Sequence, residues 1–265
     1  MGYMTIEAVK DFQLCERLFD YRYREKLSEK IYSRETHAKK FEDTLKSIFF
    51  FFFFKKQAGI IPSYASLLNR WEKLWYPKDT TSYEIITEQH ETVYGNISNL
   101  TSKAAAILLL FHEMYSKSDY IPIAIEEEFI IPRVSKNNIK DNFDFIFYKN
   151  KKFYITKILF NYRKSNRDIY KMDFSGMYKG FNHKNPDKIH NAKFGYIDVM
   201  SQDLSFTEFH IRKFDIDHFD YWCDRIDSTE VFVPRRGLIT FCKKCPFDKP
   251  CSKWSEWKKE IPLNA

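Results

Sequence analysis

The chain has 265 residues, 44% of them hydrophobic and 30% charged, enough apolar side chain for a full core and too much for a disordered segment. Lysine and arginine outnumber aspartate and glutamate by 43 to 36, a formal charge of +7 that is compatible with a polyanion partner without demanding one. Five unevenly spread cysteines exclude the disulfide framework of a small secreted fold, and the opening "MGYMTIEAVKDF" lacks the apolar core of a signal peptide, so a reducing cytoplasm is expected, that of a host if the source is viral.

Thr5 is a candidate cap for a first helix running through Ile6, Val9 and Phe12, which delivers Cys15 near its end. A second helix is expected over about residues 34 to 57, because Ala38, Phe41, Leu45, Ile48, Phe49 and Phe52 fall on one helical stripe. It contains the longest apolar run, Ile48 to Phe54, which is far short of the roughly twenty residues a membrane-spanning helix needs. A buried helix with a surplus aromatic flank is therefore favoured over a membrane or partner anchor, and Phe50, Phe51 and Phe54, off the stripe, then require a second packing surface.

"SYASLLNRWEKLWY" sets Leu67, Leu68, Trp71, Leu74 and Trp75 at helical spacing, and "NISNLTSKAAAILLLFHEMY" does the same for Leu100, Ala104, Ile107, Leu108, Phe111 and Tyr115. Residues 58–118 read as a helical insertion within a single domain spanning 1–265. After residue 118 the pattern turns to β-rich runs: "IPIAIEEEFIIPRV", "NFDFIFYKN", "KKFYITKILF", "AKFGYIDVM" and "SFTEFHIRKF". Helices are expected around "NRDIYKMDFSGMYKGF" and over "DIDHFDYWCDRID", whose Ile216, Phe219, Cys223 and Ile226 share a stripe. "SKNNIKDN" and "NHKNPDK" read as surface loops. The economical fold class is α/β with a helical N-terminal part.

The C-terminal segment 237–254 holds Cys242, Cys245 and Cys251 at C-x2-C-x5-C spacing, with a proline after the second, as often follows an iron–sulfur ligand. Three soft ligands imply a fourth. Cys223 lies on an apolar helical stripe, where a cysteine behaves as a small hydrophobe. Cys15 is solitary and remote, and its ligation would tie the two ends of the chain together. A 4Fe-4S cluster on Cys15, Cys242, Cys245 and Cys251 is favoured over zinc, whose structural sites usually pair two short Cys hooks; a metal-free arrangement is the third possibility.

Taken together, a "C-x-x-x-F-x-Y" at Cys15 to Tyr21, "FVPRR" ahead of "CxxCPxxxxC", and an α/β segment between them resemble the iron–sulfur branch of the PD-(D/E)XK nuclease superfamily. That branch includes the nuclease domain of AddB helicase-nuclease subunits and the CRISPR-associated adaptation exonucleases, with RecB nuclease domains as cluster-free cousins. The resemblance spans essentially the whole chain and implies a restriction-endonuclease-like mixed central sheet flanked by helices. It also implies a strand hairpin on which two acids hold divalent metal and a lysine orients water or phosphate.

On this chain Asp144 takes the place of the first acid and Lys157 that of the lysine, whereas the second acid's position is Ile155, which cannot ligate. Glu42 stands where the family's helical motif places a histidine, His37 being out of register, and Phe174 stands where a glutamine is expected ahead of Tyr178. A migrated acid from Glu126, Glu127 or Glu128 could complete a site, although such a triplet also fits a solvated strand edge.

The leading reading is a catalytically inactive nuclease-like iron–sulfur protein that binds DNA or serves as a subunit of a DNA-processing or transcription complex. Arg163, Lys164, Arg167, Arg235, Arg236, Lys243 and Lys244 are its candidate phosphate contacts. The alternatives are an active Mg- or Mn-dependent DNA nuclease using Asp144, Lys157 and a migrated glutamate, and a protein-interaction component without nucleic-acid binding.

Overall fold

The computed structural model describes residues 2–27, 33–76, 91–92, 95–96, 99–134, 136–160 and 167–232, together with Cys245, Phe247 and Cys251. Strand β1 (Tyr3–Met4) leads into helix α1 (Ile6–Leu14), which starts where expected: Thr5 is extended, and its hydroxyl accepts the N–H of Ala8 at 3.1 Å. Cys15, also extended, separates α1 from the short α2 (Glu16–Phe19), and a π-helical turn follows over Asp20–Arg24.

Helices α3 (Ser33–Gln57) and α4 (Tyr64–Trp75), a small hairpin of β2 (Glu91–Thr92) and β3 (Gly95–Asn96), and α5 (Leu100–Ser116) come next. Strands β4 (Ile121–Ile131), β5 (Asn138–Lys149) and β6 (Lys152–Leu159) form a meander. Helix α6 (Arg167–Lys184) and a 3-10 segment (Pro186–Asn191) then carry the chain to β7 (Ala192–Asp198), β8 (Phe206–Glu208) and α7 (Lys213–Ser228).

The sheet is mixed. In space its strands run β4, β5, β6, β7, β8; β6 and β7 are parallel and the other neighbours in this row antiparallel, while β1 lies parallel to the start of β5. Two parallel neighbours need a crossover, and α6 supplies it, covering one face of the sheet. Gly180 lets α6 close on β4, since a Cβ there would stand 2.1 Å from the ring of Phe129.

Alternation along the strands divides the apolar residues between two cores. Ile155 and Leu159 join a cluster that also holds Ile6, Val9 and Phe12 of α1, Met172, Phe174 and Phe181 of α6, and Phe219, Cys223 and Ile226 of α7. Ile158, Phe145 and Phe147 face the other way, toward α3, α4 and α5. The architecture is therefore three-layered α/β/α, a mixed sheet flanked by helices.

The expected stripe of α3 is fully buried, and Phe53 joins it, its ring within 4.7–5.5 Å of those of Phe111, Tyr115, Phe145 and Phe147. The buried arc is wider than one stripe because α3 is wedged between the sheet and α5. Of the three phenylalanines expected to need another surface, Phe50 packs on Phe145, Phe51 lies under the guanidinium of Arg70, and Phe54 remains 62% exposed.

Four expectations are corrected. "NHKNPDK" is mostly exposed but is not a loop: it ends α6 at Lys184 and enters the 3-10 segment at Pro186. Leu74 is exposed, outside the buried face of Leu67, Trp71 and Trp75. The second half of "SKNNIKDN" is strand, because Ile139 is buried between Met4 and Ile131. Most of "SFTEFHIRKF" is not strand: β8 stops at Glu208, and the carboxylate of Asp215 accepts the N–H of Arg212 at 3.0 Å, starting α7 at Lys213. Among the described residues no helix is long and apolar enough to cross a membrane.

Candidate functional site

Strand β5 pairs with β4 along its length, but on its other side it meets β1 only at Asn138 and Ile139, and β6 only from Phe145 onward. The sheet thus forks at residues 140–144. Asp144 stands at the crotch of the fork, one residue before the last β5–β6 pair, Phe145 with Thr156; extending that register by one step sets Lys157 opposite it. Instead of the ladder, the carboxylate of Asp144 takes the backbone N–H of Ile158 on Oδ2 at 2.7 Å, satisfying a buried donor where pairing stops.

On the β4 side, the pairs Ile125–Phe145 and Glu127–Phe143 set Glu126 opposite Asp144, and here too the ladder is interrupted. Glu126 has φ +49°, a left-handed conformation that is uncommon for a non-glycine residue and rarer still inside a strand. Glu126, Asp144 and Lys157 therefore form one row across three strands, with Asp144 at its centre.

The charges in this row are already matched. Asp144 is 7% exposed, and its Oδ1 lies 2.6 Å from the ammonium of Lys46, which α3 sends down from one side of the sheet. Lys157 turns to the other side and meets Oδ1 of Asp173 on α6 at 2.7 Å, while Lys10 of α1 lies 3.3 Å from Oδ2 of Asp173 and 2.7 Å from Glu7. Burial alone would push the Asp173 carboxyl up, but Lys157 and Lys10 hold it below the ordinary carboxylate value. Burial would likewise depress Lys157, yet Asp173 and then Asp144 lift it above the ordinary lysine value. Asp141, three residues before Asp144, accepts the N–H of Ile6 at 3.0 Å and so caps the start of α1.

A hard divalent cation does not fit this constellation. Such an ion needs several carboxylate or carbonyl oxygens. Ile155, in the second acid's place, is completely buried among hydrocarbons. Both oxygens of Asp144 are engaged, one by a cation of the chain itself. Glu127 pairs with Lys184, and Glu128 with Lys140 at 2.7 Å, so two of the three candidate migrated acids are spent on surface ion pairs. Glu126 is exposed at the fork, and Glu42 is half-buried on α3, one turn before Lys46. Phe174, in the place expected for a glutamine, is stacked on Phe209 at 4.4 Å in the core.

At the opposite end of α1, Cys15, Leu18, Tyr21 and Phe247 form a small cluster against which Cys245 and Cys251 pack. Cys242 lies outside the described residues. Among the described residues no group of three or more His, Cys, Asp or Glu side chains is arranged to hold a metal ion. Cys223 is apart from this cluster, wholly buried under α7, where desolvation pushes its thiol up to about 12, in keeping with a small hydrophobe. Arg163, Lys164, Arg235, Arg236, Lys243 and Lys244 lie outside the described residues, as does the side chain of Arg167.

No family model matches the sequence, and no curated protein matches it. Among solved structures, a protein from Eubacterium rectale described as a "Putative exonuclease" aligns over 95% of this chain and 88% of its own, with a TM-score of 0.52 at 12% sequence identity. The two chains share a fold. At that identity the shared fold fixes the arrangement of helices and sheet and leaves the chemistry to the residues themselves.

The resemblance placed Asp144 and Lys157 on a strand hairpin but gave no sign of Lys46 and Asp173, the groups that neutralise them. Lys46 directly follows Leu45 on the buried stripe of α3, and Asp173 directly precedes Phe174.

Proposed function

We propose that this chain is a PD-(D/E)XK-type domain that binds DNA without cutting it, as a component of a DNA-processing or transcription assembly. One observation carries the reading: Asp144 is closed by the Lys46 ammonium and the Ile158 N–H, while the second acid's position is core hydrocarbon. The fold shared with a protein described as an exonuclease supports nucleic acid as the partner class. Arg163, Lys164, Arg167, Arg235, Arg236, Lys243 and Lys244 are its phosphate contacts in this reading.

Incubation of the purified chain with labelled single- and double-stranded DNA and Mg2+ or Mn2+ is expected to leave both substrates intact. Cleavage that disappears in Asp144→Ala would replace this reading with that of a working nuclease. The exposed Glu126 opposite Asp144 is the observation that favours this second reading.

We further propose that Cys15, Cys242, Cys245 and Cys251 hold a 4Fe-4S cluster; the gathering of Cys245 and Cys251 beside Cys15 supports this. Such a centre would cross-link the first helices to the C-terminal segment and supply no chemistry at the fork. Protein purified without oxygen should be brown, with absorbance near about 400 nm and stoichiometric iron, both lost in Cys15→Ser. Colourless protein carrying zinc would assign the same thiols to a structural zinc site, and metal-free protein would remove the proposal.

A further inference from the structure

Beside the Lys46–Asp144 pair, α3, α4 and β4 enclose an open cleft of about 570 Å3, within the size range of small-ligand sites. Lys46, Phe50, Phe51, Phe54, Arg70 and Glu126 line it. We propose that this cleft is a subsite for one unpaired nucleotide of a single strand, its base stacked on the phenylalanines and its phosphate held by Arg70 and Lys46. The proposal rests on the nucleic-acid reading above and adds where, and in which form, the strand is held.

Three features of the cleft exceed what folding requires. Phe54 is 62% exposed although its neighbours Phe52 and Phe53 are fully buried, so its ring is a hydrocarbon platform left in water. The guanidinium of Arg70 lies 4.4 Å over the ring of Phe51, and its Nε is buried without a hydrogen-bond partner among the described residues. A cation on one aromatic ring beside a second, open ring is the arrangement on which bases stack and phosphates pair in single-strand binders.

Glu126 supplies the complementary acceptor. Its left-handed backbone places it at the rim, where a carboxylate can accept from the exocyclic amine of a base. Asp43, the other carboxylate of the cleft, lies 3.9 Å from Lys39, which offsets its repulsion of a phosphate. A base inside a duplex is already stacked above and below and offers no free face, so the cleft discriminates for unpaired strands.

The test is fluorescence anisotropy of the full chain with a labelled single strand and with the duplex of the same sequence, across a salt series. Single-strand binding should be tighter, and Phe54→Ser and Arg70→Gln should each weaken it roughly tenfold or more, duplex binding unchanged. Phe54→Tyr, which keeps the ring, should retain affinity and so separates stacking from a folding defect. Equal binding of both forms, or binding that neither substitution alters, overturns the cleft while the nucleic-acid reading stands. No binding of either form even at low salt overturns both.

Discussion

Replacing Asp173 by alanine is expected to lower the unfolding free energy by about 3–5 kcal/mol, measured by urea titration. The carboxylate is 2% exposed and lies between two ammonium groups, Lys157 at 2.7 Å and Lys10 at 3.3 Å, themselves 27% and 16% exposed. Removing the central charge leaves two like charges facing each other in a poorly solvated gap between α1, β6 and α6. Such a loss exceeds that of an exposed pair, which is worth at most about 1 kcal/mol.

The pH dependence follows from the directions of the shifts. Asp173 titrates below its ordinary 3.8 in the folded chain, so its contribution is complete above that value and is lost as the pH falls through the lower, folded one. Lys157 titrates above its ordinary 10.5, so its contribution is complete below that value and is lost as the pH rises through the higher, folded one. The deficit of Asp173→Ala should therefore be greatest between 3.8 and 10.5 and shrink toward both extremes of pH, where wild type loses these contributions. A variant within about 0.5 kcal/mol of wild type would show that water, and not Asp173, solvates the two lysines.

Restoring the family's second acid by Ile155→Asp is expected to unfold the protein before it revives any catalysis. Ile155 is fully buried, paired across to Ile146 on one side and beside Phe194 on the other. The substitution removes core hydrocarbon and inserts a carboxyl on the face of Lys157, whose ammonium is already paired with Asp173. A loss of about 3–5 kcal/mol is expected from the two effects together, and Mn2+ should not reverse it. Were Mn2+ to raise the melting temperature of this variant and not that of the wild type, the fork would retain a metal seat that one side chain suffices to reopen.

Where apolar periodicity decides an element, the sequence was legible. The stripes of α3 and α5 are visible because a helix buries every third or fourth residue whatever it packs against, and the start of α1 because Thr5 is a side-chain acceptor ahead of its first apolar residue. The exposure of Leu74 and the added burial of Phe53 escape the pattern because burial at the margin of a stripe depends on how closely the neighbouring layer approaches, which one element does not encode. The start of β5 at Asn138–Asn142 was hidden by its polar composition: it becomes strand because β4 pairs with it from Ile139 to Asn142, and β1, more than 130 residues away in sequence, pairs with Asn138 and Ile139.

The fork shows the same division. Asp144, Ile155 and Lys157 are placed on a hairpin by the family resemblance, whereas Lys46 and Asp173 come from helices on opposite faces, and nothing local records that they reach the same row. The left-handed backbone of Glu126 is equally silent in sequence, because glutamate gives no cue for such a conformation.

The ammonium that neutralises Asp144 is tethered to the polypeptide, which distinguishes it from any dissociable ion. It is present at one equivalent per chain by construction, and its local concentration does not vary with the medium. Chelators such as EDTA are expected to leave the pair intact, and scarcity of divalent ions should not vacate the position. Only deprotonation of the amine or a swing of the side chain away from the carboxylate would do so.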